Sequence, residues 1–154
     1  MTTGRTALKF FGAVRLTRAA WPFLKERSGS VVNIAGVGGC TPGPQFAIGG
    51  SVNAALLSFT KAIADARVAD RIQVNAVNPG PVRTARLERR LAATAGRLGI
   101  DTAEAARRMV AEAKIARIGE PEDVANLVSF LVSAEGRWLH GSLIDIDGGE
   151  TKTI

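Results

Sequence analysis

The chain has 154 residues, 46% of them hydrophobic and 22% charged, with a formal net charge of +6. That length suits a single domain and the hydrophobic share is that of a globular protein, so disorder is excluded. One cysteine excludes a disulfide framework and a Cys-based zinc cage, and the absence of any tyrosine excludes chemistry that needs a phenol.

The first residues, MTTGRTALKFF, lack the apolar stretch and cleavage site of a signal peptide. The apolar runs read as too short for the ~20 residues that cross a bilayer. The expectation is a soluble, cytoplasmic protein without membrane association. The charge is uneven: residues 1–82 carry nine Lys/Arg against three Asp/Glu, 83–117 nine against four, and 118–154 two against seven. A basic chain raises the question of nucleic acid, but no recognition motif and few aromatic residues accompany the charge, so no nucleic-acid partner is expected.

In chain order, residues 6–27 read as a helix, with Leu8, Phe11, Val14, Leu16, Trp21 and Leu24 at helical spacing and Pro22 expected to kink the last turn. Residues 30–35, SVVNIA, are short, β-branched and almost continuously apolar, as a buried parallel strand is. Four Gly and two Pro between 36 and 46 make a loop. Residues 47–69 read as a second helix, ending near Asp70, and 72–77, IQVNAV, as a second strand. A Pro/Gly-rich loop at 78–84 leads into an Ala- and Arg-rich helical region at 85–117, broken near Gly96 and Gly99. Pro121 opens a further helix, with Glu122 and Asp123 at its positive end. A third strand follows at 141–147. Strands joined by helical crossovers are parallel, so the fold class is α/β: a partial Rossmann-like, three-layer arrangement of about three parallel strands with helices on both faces.

Four of these segments, in this order, resemble the short-chain dehydrogenase/reductase family. VVNIAGVGG is similar to the strand and loop that carry the family's serine, and VNAVNPGPVRT to its Pro-Gly motif. GEPEDVANLVSFLVS with GSLIDIDGG is similar to its last helix and strand, and FFGAVRLTRAAWPFLKERSGSVVNI to its long interface helix and the strand after it. The resemblance covers essentially all 154 residues but begins near the middle of the family's length. It implies that the nucleotide-binding half, with its Gly-rich turn, lies outside this sequence. The expectation is therefore a single domain that is the C-terminal part of the family's fold, either truncated or translated from further upstream.

In that family a nicotinamide cofactor, NAD or NADP, exchanges a hydride with a carbonyl or alcohol carbon. A tyrosine moves the proton, a lysine one helical turn later lowers its pKa and holds the ribose, and a serine orients the substrate oxygen. Carried onto this sequence, the serine position is Gly36, the tyrosine position Gly49, the lysine position Asn53, and the family's additional asparagine Lys9. None matches, so no catalytic residue is assigned. Glycine offers no acid and Asn53 no cation. Pro79, Gly80, Val82 and Thr84 do match the positions that contact the nicotinamide end of the cofactor. Tight cofactor binding by these residues alone is not expected.

Three reactive residues read as bland. Ser51 points off the lost tyrosine's face, Cys40 is inert packing with nothing beside it to lower its pKa, and His140 is structural or on the surface. The resemblance makes 85–117 a lid over the substrate, where Arg86, Arg89, Arg90, Arg97, Arg107 and Arg108 would attract an anionic tail such as a phosphorylated or CoA-linked group. Alternatively they form a solvated face, since Glu104 and Arg108 have the spacing of a helical ion pair. Two readings remain: an oxidoreductase-family protein impaired in catalysis, acting on an unidentified small molecule, or a non-enzymatic module that binds ligand or self-associates through helices 6–27 and 47–69.

Overall fold

Polar residues in the middle strand explain how the sheet is locked. The computed structural model describes residues 7–66 and 68–152. It has three strands, β1 (Ser30–Ile34), β2 (Gln73–Pro79) and β3 (Leu143–Ile146), all parallel and ordered β1-β2-β3. Every residue of β2 but its last is buried, as a strand covered on both faces requires. Buried amides need partners, and each finds one. Asn75 donates to the Leu139 carbonyl at 2.8 Å and accepts from Ser142 N–H at 2.9 Å. Asn78 accepts from Gly36 N–H at 3.3 Å and donates to Asp145 at 2.9 Å. Gln73 donates to the Gly136 and Leu139 carbonyls.

The strand alternation sorts the helices onto two faces. Ile72, Val74 and Ala76 pack against α1 (Gly12–Glu26) and α2 (Ala47–Ala66), through Trp21 and Leu24 on one helix and Leu56, Leu57 and Ala64 on the other. Gln73 and Asn75 point the other way, to the residues that follow α5 (Pro121–Val132). The α/β architecture with three parallel strands is as the pattern predicts.

The boundaries differ in instructive ways. Residues 7–11 form a π-helical turn before α1, and α1 runs through Pro22 to Glu26. β1 stops at Ile34 because the backbone turns at Gly36 (φ +128°), and β3 starts only after Gly141 (φ +67°). β2 runs on to Pro79. The helix expected over 47–69 ends at Ala66, with a 3₁₀ turn at Val68–Asp70.

Region 85–117 is two helices, α3 (Ala85–Leu98) and α4 (Thr102–Ala113). The break falls at Gly99, which is left-handed (φ +65°), and Asp101 then caps α4 by accepting from Glu104 N–H at 2.7 Å. Gly96 stays inside α3. The pair encloses its own core of Leu87, Leu91, Ala95, Ala105 and Ile118.

One expectation needs correction. The segment Pro44–Ala66 is long and apolar enough, by length and composition, to cross a bilayer. In the fold it is the helix that buries Leu56 and Leu57 against Ala35 and Ala76, which accounts for its apolar character.

Candidate functional site

The C-terminal ends of β1 and β2 and the first half of α2 bring the family positions together. Gly36 follows β1, and a Cβ placed on it would stand 3.1 Å from the Asn53 amide nitrogen and 3.7 Å from the Pro79 carbonyl. Gly49 and Asn53 lie one turn apart on α2. A Cβ on Gly49 would come within 2.2 Å of the Phe46 ring, and one on Gly38 within 2.9 Å of the same ring. Phe46 thus occupies the space that side chains at 38 and 49 would enter. The guanidinium carbon of Arg86 lies 5.6 Å from the ring centroid, a cation–π distance.

Asn53 is buried and fully engaged. Its amide nitrogen donates to the Gly36 carbonyl at 3.3 Å, and its oxygen accepts from Lys9 Nζ at 2.6 Å. Lys9 also donates to the Ala35 carbonyl at 2.6 Å. Burial, reinforced by the charge of Arg86, lowers the pKa of Lys9 from its ordinary value. The two positions that the resemblance marks as mismatches therefore meet as a pair, Lys9 on the Asn53 amide oxygen. Taking positions 9 and 53 together, rather than as separate mismatches, would have revealed this in the sequence. Phe46 carried no comparable signal, since its partner Gly49 reads as an ordinary helix-interior glycine.

The Pro-Gly loop is built tightly. Gly80 packs so closely on β3's end that a Cβ would lie 2.8 Å from Asp147, and its N–H is spent on the Ile146 carbonyl at 3.1 Å. Val82 pairs with Gly119. Thr84 caps α3, its hydroxyl accepting from Leu87 N–H at 3.3 Å. Arg83 is held between Glu88 and Glu120 at 2.9 and 3.1 Å. An open groove of about 360 Å³ lies beside this loop, lined by Val82, Val124, Ile146 and the Arg117–Asp123 pair among others.

Of the arginine cluster, Arg107 and Arg108 both bond Glu104, at 2.9 and 2.8 Å, as the helical spacing of a solvated face predicts. Ser51 is exposed and bonds back to the Ala47 carbonyl at 2.9 Å. Cys40 is exposed and not packed as the sequence suggests; partial burial of its thiol, then the Asp145 charge, pushes its pKa up. His140 is wedged between Val74 N–H at 3.3 Å and the Ala64 carbonyl at 2.9 Å, a structural placement. Among the described residues no cluster of metal-ligating side chains occurs.

Three parallel strands with helices on both faces and a Pro-Gly loop beyond the middle strand make a partial Rossmann-like α/β fold. The family model described as enoyl-(acyl carrier protein) reductase matches residues 5–151, and the chain belongs to the short-chain dehydrogenase/reductase family. It is similar to the acetoacetyl-CoA reductase of Shinella zoogloeoides, with 31% identity over 90% of this chain and 54% of that protein. To the cyclopentanol dehydrogenase of Comamonas sp. it is 32% identical, over 84% of this chain and 48% of the relative. Among solved structures, L-sorbose reductase of Gluconobacter frateurii complexed with NADPH and L-sorbose superposes with a TM-score of 0.90 at 30% identity, covering 95% of this chain and 56% of that one. The chain spans about half the length of the curated relatives it matches.

Proposed function

We propose that this chain is a short-chain dehydrogenase/reductase that has lost the tyrosine-dependent proton relay and now works by binding rather than by hydride transfer. The observation that carries this reading is the Phe46 ring lodged against Gly49, in a chain without tyrosine. Hydride transfer to a carbonyl needs a proton donor within hydrogen-bond reach of the developing alkoxide. Phe46 has none, and Ser51 is turned back onto its own helix.

The resemblance implies NAD or NADP at Pro79, Gly80, Val82 and Thr84, with an unidentified small molecule beside it. The polar groups there do not suit a tightly held dinucleotide. The Gly80 N–H donates to the Ile146 carbonyl, the Thr84 hydroxyl accepts from Leu87 N–H, and the Asn53 amide accepts from Lys9 and donates to the Gly36 carbonyl. Purified protein mixed with NADH or NADPH and a panel of ketones should leave the cofactor's absorbance unchanged. A rate of oxidation that falls on Asn53→Ala would overturn the proposal.

Self-association is the second reading, and the exposed apolar face of the first two helices favours it. Leu8, Leu16 and Phe23 are 80%, 71% and 68% exposed. Beside them an apolar groove of about 320 Å³ is lined by Phe10, Ile48, Val52 and Ala55. Exposed apolar patches of this kind mark association surfaces. A homo-oligomer through helices 6–27 and 47–69, cytoplasmic and without nucleic-acid or membrane partners, is the form proposed. Sedimentation at micromolar concentration should show a dimer or larger species, and a dispersed monomer would count against it.

A further inference from the structure

We propose that Lys9 is a covalent capture site for small carbonyl compounds, its partly exposed ε-amine forming a reversible imine with an aldehyde or ketone from solution. Three features of the site support this and are independent of whether hydride transfer occurs.

The first is the set of partners. Lys9 Nζ is held by two uncharged acceptors, the Ala35 carbonyl and the Asn53 amide oxygen, each at 2.6 Å. The amide cannot turn away, because its nitrogen is bonded to the Gly36 carbonyl. A neutral amine has two N–H bonds and one lone pair. Here both N–H bonds have acceptors, which leaves the lone pair for an incoming carbon. No described carboxylate is paired with Lys9, whereas Lys25 sits 2.6 Å from Asp70.

The second is the field. The charged group that acts on Lys9 is Arg86 on α3, while α2 contributes the neutral Asn53 and the end of β1 a carbonyl. Burial and a like charge both disfavour the ammonium, so more of the amine is in its nucleophilic form near neutrality.

The third is the surroundings. Lys9 is only partly buried, and Gly36 places no side chain between the Asn53 amide and the Pro79 carbonyl.

The step balances without an oxidant. The Nζ lone pair attacks the carbonyl carbon to form a C–N bond, and the C=O π pair moves to oxygen. That oxygen takes one proton from Nζ, whose N–H bond breaks, and one from solvent; it then leaves as water as the nitrogen lone pair forms the C=N bond, giving a protonated imine that hydrolyses by the reverse path.

The test is reductive trapping. The full chain is incubated near neutral pH with butyraldehyde, and separately with cyclohexanone, in the presence of cyanoborohydride. It is then digested with trypsin and its peptides are weighed. Alkylated Lys9 resists cleavage and appears in the 6–15 peptide, apart from the α-amine of Met1. Lys9 should be modified ahead of Lys25, Lys61, Lys114 and Lys152, by about tenfold for each unit by which its pKa is lowered. The lead should vanish in denaturant. Arg86→Gln, at an exposed position, should slow Lys9 labelling by removing the like charge, and Asn53→Asp should slow it further by stabilising the ammonium. Labelling of Lys9 no faster than the other lysines, or a lead that persists in denaturant, would overturn the proposal. So would a Lys9 rate that neither variant changes. No cofactor enters this assay, so a silent hydride-transfer experiment leaves it standing.

Discussion

Gly50 stands over the carbonyl of Gly38: a Cβ built on Gly50 would lie 2.6 Å from that oxygen. The contact is backbone against backbone, so neither side can swing aside. Gly49, one residue earlier, meets only the far end of the Phe46 ring, which can rotate. Gly50→Ala is therefore expected to destabilise the protein by about 1–3 kcal/mol, as overpacking does. Gly49→Ala should cost less, because helix propensity offsets part of the ring's displacement. Urea unfolding of the two variants checks the order.

Gly96 and Gly99 should respond in opposite senses. Nothing lies within 4 Å of a Cβ on Gly96, which is inside α3. Gly96→Ala should stabilise by ~0.4–1 kcal/mol, largely by restricting the unfolded chain. Gly99 also has open space, but its φ is +65°, so Gly99→Ala should destabilise by ~1 kcal/mol. Thermal unfolding of both distinguishes the effect of backbone conformation from that of space.

Asp123 gives the chain an acid-labile contact. Its carboxylate bonds Arg117 at 2.7 Å and the Glu120 N–H at 2.7 Å, and its pKa falls from 3.8 to about 2, chiefly through the Arg117 hydrogen bond and then the backbone one. A depressed carboxylate stabilises the fold above its unfolded pKa and ceases to as the pH falls through the folded value. The contribution is thus whole above pH ~4 and lost toward pH 2. Asp123→Asn should flatten the fall of stability with pH across that window. An unchanged slope would show that other carboxylates dominate acid unfolding.

The layer order, the parallel strands and the split of region 85–117 were legible because they rest on local chemistry: β-branched strands, a Gly–Asp stop and cap, and short turns. The family positions rest on the resemblance, with VVNI and AALLSFTKAIA bracketing them on both sides. The joint meaning of Lys9 and Asn53 emerges only when two positions 44 apart in the chain are taken together. Nothing local to either residue announces that a π-helical turn will place the Lys9 amine on the Asn53 amide. Phe46 was hidden for a different reason. A phenylalanine after Gly-Pro-Gln reads as a loop residue, and only the fold brings its ring against two glycines. The asparagines of β2 were read as strand residues, but the sequence does not say that they stitch the strand to its neighbours on both sides.

The paired helices α3 and α4 close on a core of their own, and residues 82 and 119 join at a single bridge where the pair meets the sheet. Segments that bury apolar surface mainly within themselves open as their own cooperative units. Amide hydrogens along Leu87–Val110 should therefore exchange through a breathing motion that leaves β2 protected. The part of the molecule richest in arginine would then be able to part from the sheet while the strands stay closed.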